Sequence, residues 1–281
     1  MTATPATRQG LLAARFTPER VHTALLPREQ WQPYGRTGWE KIPAATRARM
    51  LARAEQRLGM AWPELPATRF LDFVRDGNRS RYEAHHFERR YALCELVLGE
   101  RIEGQGRFLD DIINGIWALC EESFWGVSAH SFSPRFGVQS PNSRYPSAGL
   151  PDTAYPVVDL FAAETGALLA WTHHLVGAQI AATLPVVTDR IEREIEARVL
   201  QPYRAIDDWW WFGKQGDRPV NNWNPWINSN VLATNLLIEP DTAVREQTVL
   251  RAIESVDLFL DGYHPDGGCD EGTSYWGRAG A

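Results

Sequence analysis

Nowhere in the 281 residues does an apolar run approach the roughly 18 needed to cross a bilayer as a helix, so no membrane span is expected. The opening residues, MTATPATRQG, lack the basic start and apolar core of a secretory signal, and the expected location is the cytoplasm. Cysteine is scarce. Cys94, Cys120 and Cys269 are widely spaced and show no metal-ligand pattern, so they read as buried thiols with no metal site. Almost no stretch alternates with a period of two over strand length, which argues against sheet. A close internal repeat is also lacking, although helical hairpins of roughly 40–60 residues recur loosely.

Positive charge falls short of negative by six, and the imbalance is uneven. Residues 1–90 hold 16 Lys and Arg against 9 Asp and Glu, while the remainder holds 13 against 26. The basic charges of the first part are scattered through helical patterns beside acidic ones, so they read as a solvated face rather than a nucleic-acid surface. The acidic remainder would repel a polyanion at long range, so an acidic sugar would have to be held by a few local arginines.

What is present is ordinary globular material, 44% hydrophobic and 23% charged, which excludes a disordered or fibrous chain. Residues 1–45 hold several prolines and little periodicity, and read as an N-terminal arm that packs on a body spanning 46–281. Ala44 to Leu58 is helical in pattern, Phe70–Arg81 less regular, and His85–Leu98 helical again. The clearest helix is Leu109–Phe124, where Leu109, Ile112, Ile113, Ile116, Trp117 and Cys120 form one apolar stripe. Ser131–Pro156 is rich in Ser, Pro, Gly and Asn and reads as a long ordered loop. Further helices are marked by Leu160 to Leu175, Thr188–Tyr203, Ile227 to Leu236, and Val249 to Leu260. The expected class is all-α, with helix–loop–helix pairs and long loops on one rim; an incomplete (α/α) toroid accommodates such hairpins.

Two segments stand apart from ordinary helix text. One is Trp209-Trp210-Trp211-Phe212 followed by Asn221-Asn222-Trp223-Asn224-Pro225-Trp226-Ile227-Asn228-Ser229-Asn230. Indole faces stack on sugar rings, so Trp223 and Trp226, set among asparagines, suggest a ligand groove. Trp117 and Trp171 lie on apolar stripes and read as core, and the Trp209–Trp211 run divides between core and rim. The asparagines suggest a hydrogen-bonding surface, with Asn222 or Asn224 as a helix N-cap. The second segment runs from Asp266 to Arg278. A helix resuming after Gly272 would put Tyr275 and Arg278 on one face, where the guanidinium could favour a phenolate; a plain surface pair is the competing reading.

At these residues the chain resembles the heparinase II/III family of toroid-type polysaccharide lyases. The carriers are Asn221-Asn222-Trp223-Asn224-Pro225-Trp226, the Asp266-Gly267-Gly268…Glu271-Gly272…Tyr275-Trp276 signature, and more weakly Glu122…Trp125…His130. The likeness runs from about Phe108 onward. It implies an α/α toroid followed by a β-sandwich region, and β-elimination of a uronate-containing acidic glycan. It further implies that Tyr275 is the catalytic acid and could also serve as base, Asn222 neutralises the substrate carboxylate, and His130 is a second base or sugar contact. Glu271 and Arg278 would hold Tyr275. Trp223, Trp226, Asn224, Glu122 and Trp125 would join them around the substrate.

Two departures follow. Trp223 stands where many relatives have histidine, so that usual base is absent from its place. The sequence also stops at Ala281, just after the tyrosine motif, so the expectation is an N-terminal fragment whose open toroid aggregates or dimerises. No cofactor is expected in it, a structural metal being left to a C-terminal part beyond it. The partner is an acidic polysaccharide or oligosaccharide, with no nucleic acid and no membrane. Two other readings stay open: a non-catalytic glycan-binding fragment, and an α/α-toroid glycoside hydrolase using Glu122, Asp270 or Glu271.

Overall fold

Apolar residues three and four apart need a common surface to bury, and the chain meets that need with helices throughout. In the computed structural model every regular element among the described residues is helical, with no strand. The structure describes residues 10–31, 38–132, 149–214, 220–264, 266–269 and 272–279, without the side chains of 131, 132, 278 and 279. In chain order the α-helices are α1 Leu11–Arg15, α2 Pro18–Ala24, α3 Ala44–Glu55, α4 Ala67–Asp76, α5 Ser80–Glu103, α6 Leu109–Cys120 and α7 Ser128–Phe132. They continue as α8 Leu160–Ala181, α9 Pro185–Ile195, α10 Gln201–Ala205, α11 Trp223–Ile238, α12 Thr242–Leu260 and α13 Trp276–Ala279. None among the described residues is long and apolar enough to cross a membrane.

The irregular text of Phe70–Arg81 is in fact helix α4 and the start of α5. Helix α4 has one wholly buried residue, Phe70, so its apolar stripe is thin. The helix at Leu109 ends at Cys120 rather than Phe124. Its buried residues are Ile112, Ile116 and Cys120 of the expected stripe, together with Gly115 and Leu119 beside it. Trp117 is therefore not core: it is 40% exposed, with the Arg190 guanidinium 4.2 Å from its ring centroid. Most of the expected loop at Ser131–Pro156 lies outside the described residues.

The chain divides into two compact units, Gln32–Val199 on one hand and Met1–Trp31 with Leu200–Ala281 on the other. The divisions fall after Trp31 and after Val199. In Gln32–Val199, α5 is the hub and packs on α3, α4, α6 and α8, while α9 packs on α6 and α8. Leu93 and Leu96 of α5, Ile112 and Ile116 of α6, Leu169 of α8 and Ile191 of α9 are wholly buried. Burial of each such side chain is worth about 1.5–3 kcal/mol.

The other unit is built on the hairpin of α11 and α12, with α1 and α2 against α12 and α13 against α11. Asp257 of α12 accepts from the backbone N–H groups of Leu12 (2.7 Å) and Ala13 (2.8 Å), satisfying donors that the first turn of α1 leaves unpaired. The buried Arg245 donates to the carbonyls of Leu26 and Leu236, and Arg28 donates to that of Ile238. Two cations thus satisfy carbonyls at the C-terminus of α11, where the helix dipole favours positive charge.

Candidate functional site

Within Gln32–Val199 the chemistry gathers where α6 ends. The last carbonyls of a helix have no partner in the helix itself. Here Arg89 donates to the carbonyl of Ala118 (3.0 Å), the Trp125 indole to that of Leu119 (2.8 Å), and Arg198 to that of Cys120 (3.0 Å). Trp125 is thereby corrected from sugar platform to helix cap: it is 1% exposed, and Arg198 covers its ring at 4.8 Å.

Glu122 follows directly, and it too is taken up by the protein. Its Oε1 accepts from Arg89 (3.2 Å) and Arg90 (3.1 Å), and its Oε2 accepts from Arg90 (2.7 Å). Arg90 also donates from Nε to Thr165 of α8 (2.8 Å). The carboxylate therefore serves as a buried clasp joining α5, the end of α6 and α8, rather than as a substrate contact. Removing one partner of such a pair would leave the other charged and buried, at a cost of about 3–5 kcal/mol.

His130, on α7, is the predicted residue best placed for chemistry. Its Nδ1 lies 2.8 Å from Oδ2 of Asp159. A carboxylate can only accept, so Nδ1 carries the proton and Nε2 is the basic nitrogen. Asp159 is itself fixed, because its Oδ1 caps α8 by accepting from the N–H of Ala162 (2.7 Å). The imidazole stacks on Phe161, centroid to centroid 5.1 Å with the planes 7° apart. Gly126 leaves room for the pair, since a Cβ there would come within 2.7 Å of Asp159 Oδ2. Asp159 was not among the residues singled out from the sequence. Its one local signal is an acidic residue immediately ahead of an apolar helix.

Beside this pair, α5 carries Tyr82, His86, Arg89 and Arg90 at spacings that share a helix face. His86 is fully buried, its ring near those of Tyr82, Phe87 and Phe161, and neither ring nitrogen has a hydrogen-bond partner. Burial, with the nearby charges of Arg90, Arg89 and His130, pushes its pKa well below the ordinary histidine value. Tyr82 is 4% exposed and its phenol is pushed upward, by burial first and then by Glu122. A cleft of about 740 Å³ opens against these groups, lined by Tyr82, Arg89, Trp62, Phe70, Phe124 and Glu121 among others.

In the other unit the asparagines turn inward. Asn224 is fully buried, and its Nδ2 lies within hydrogen-bond distance of the carbonyls of Trp211 (3.1 Å), Phe212 (3.3 Å) and Ser255 (3.0 Å) and of Ser255 Oγ (2.9 Å). Asn228 donates to Ser255 Oγ (3.0 Å) and accepts from the Tyr203 hydroxyl (2.7 Å). Trp210–Phe212 forms a single 3-10 turn whose carbonyls need donors, and the amides provide them. The ligand surface expected of Asn224 is thus an internal fastening of α11 to α12 and this turn.

Trp223 and Trp226, expected to line a groove, are 5% and 9% exposed, Trp223 being packed 4.9 Å from the Trp210 ring. Of the triple tryptophan, Trp209 and Trp211 are buried and Trp210 half-buried, as the division between core and rim anticipated. Asn222 stands at the N-cap of α11 without a side-chain capping bond, and is 1% exposed. The amide that meets the first turn is Asn221, whose Oδ1 accepts from Trp223 N–H at 3.1 Å.

The tyrosine motif is the exposed part of this unit. Gly267 and Gly272 take positive φ of 75° and 90°, which favours glycine at both places. Tyr275 ends a 3-10 turn and is 36% exposed, and Trp276, 53% exposed, opens α13. Arg278 lies in α13 with its side chain outside the described residues, as do Glu271 and Asp270 entirely. Of the thiols, Cys120 is buried as expected, but Cys94 is exposed and Cys269 half-buried. No group of three or more His, Cys, Asp or Glu side chains is placed to hold a metal ion among the described residues. No family model matches the chain, and no curated protein matches it.

Proposed function

We propose that the chain is the helical part of a heparinase II/III-type polysaccharide lyase that cleaves a uronate-containing glycan by β-elimination, its hairpins belonging to an incomplete (α/α) toroid. The observation that carries this reading is the His130–Asp159 pair, an imidazole held by a buried carboxylate at 2.8 Å with Nε2 as its basic nitrogen. In the proposed reaction His130 takes the C5 proton of the uronate. The C5–H electron pair forms the C4–C5 double bond, the C4–O bond breaks, and the departing oxygen takes a proton from a general acid. Asp159 is a positioning residue.

The exposure of Tyr275 beside Trp276 favours this reading over a core role for the motif. The hydrolase alternative is weakened, because the Glu122 oxygens are engaged by Arg89 and Arg90.

The test is incubation of the protein with a panel of uronate polymers, read by the ultraviolet absorbance of an unsaturated uronate end. Product is expected from at least one polymer, with His130→Ala about 10²–10⁴-fold slower. Full activity of that variant overturns the assignment. Saturated reducing ends would instead identify a hydrolase, and sugar binding without product a glycan-binding module.

A further inference from the structure

The cleft against α5 has a charge pattern that bears on which sugar it accepts. Four charged side chains line it: Glu64, Glu121, Glu122 and Arg89. Glu122 is paired with Arg89 and with the buried Arg90, so this cluster leaves one positive charge against the two carboxylates that remain. Glu64 and Glu121 are exposed, and neither carboxylate has a hydrogen-bond or ion-pair partner among the described residues. The cleft is therefore net acidic.

Its floor is apolar and aromatic. Phe70 meets Tyr82 edge-on at 4.9 Å and Phe124 at 5.9 Å. Trp62 stands alongside, seated so closely on Gly115 that a Cβ there would come within 2.5 Å of the indole. Set into this floor is the Tyr82 hydroxyl, with the Ser123 and Thr153 hydroxyls elsewhere in the lining. Tyr82 is 96% buried, on its 4% exposure, and what surface it keeps lines the cleft. Its hydroxyl has no hydrogen-bond partner among the described residues, and it is not among the atoms sealed from solvent. A buried aromatic hydroxyl normally finds a partner. Held protonated by burial and by Glu122, this one is available as a donor.

Aromatic walls, the unpartnered Tyr82 hydroxyl and two open carboxylate acceptors suit a sugar ring that brings hydroxyls or an ammonium and no negative charge. We propose that this cleft binds a non-anionic sugar ring, an amino sugar or neutral hexose, and excludes the uronate. The inference rests on the lyase reading for the ligand being a glycan. It adds that the residue held here is not the acidic one that is cleaved.

Three probes that differ by one group at a time test it: glucosamine, glucose and glucuronate, titrated onto the protein with ligand-observed NMR. Glucosamine is expected to bind at least as well as glucose, and glucuronate roughly five-fold more weakly, the scale of one partly exposed charge contact. Tyr82→Phe, which keeps the ring and the fold, should weaken glucosamine and glucose about three- to ten-fold through loss of one hydrogen bond. The rim variants Glu64→Gln and Glu121→Gln should bring glucuronate up toward glucose.

Equal or tighter binding of glucuronate overturns the proposal, as does binding of none of the three, or a Tyr82→Phe variant with unchanged affinities. No turnover is needed for these readouts. Binding in the expected order without any unsaturated product would leave the cleft assignment standing and remove the lyase, and product formation with glucuronate preferred here would do the reverse.

Discussion

His86 is the residue whose surroundings fix its behaviour most sharply. Its pKa is depressed in the folded chain by burial and by Arg90, Arg89 and His130. In the unfolded chain it takes up a proton near the ordinary value of about 6.5. Below that pH the unfolded state binds a proton that the native state refuses, so stability is present above about 6.5 and declines as pH falls toward the folded pKa. Melting temperature followed from about pH 7.5 to 5 should therefore drop for the wild type, and less steeply for His86→Leu. Parallel curves would mean that His86 stays neutral in both states or is charged in both. Nothing in the sequence marks this histidine. His85 and His86 are adjacent, and only the face that α5 turns toward α8 makes the second one buried.

Helix α11 depends on its neighbours through a small set of amides. Asn224→Ala would take the amide donor from the carbonyl of Trp211, while that of Phe212 keeps the Ser255 hydroxyl, costing about 1–3 kcal/mol. Urea unfolding should show this loss directly; an unchanged midpoint would return Asn224 to the ligand-facing role that its sequence suggested. The contrast explains how far a site can be read from text. A run of asparagines among tryptophans looks like a surface, because amides and indoles suit sugars. Its inward use depends on a 3-10 turn whose carbonyls lack helical partners, and that geometry has no signature in residue spacing. The stripe on α6 misled for a related reason. Its period was right and Ile112, Ile116 and Cys120 are buried, but Gly115 seats Trp62 on the buried side, and Trp117 stays outside.

At the scale of the whole molecule, the all-α class was legible because apolar residues recur at helical spacing along α6, α8, α11 and α12. The partnership of His130 with Asp159 was not, since 29 residues separate them and only the packing of α7 near the head of α8 brings them together. Unit Gln32–Val199 is continuous in sequence and has its own core, so a fragment with those limits should fold alone. Circular dichroism should report a helical fragment that melts cooperatively; a non-cooperative, broadly sloping melt would show that its core is insufficient. The other unit is different in kind. The N–H groups that begin α1 are capped by Asp257, 245 positions later for Leu12. On the ribosome, where the chain emerges from its N-terminus, α1 must wait unpaired while the continuous unit completes itself, and can settle only when α12 has left the exit tunnel. Translation therefore imposes an order of assembly, central unit first, and a pause late in the message would prolong the interval in which the earliest helices are open to proteases.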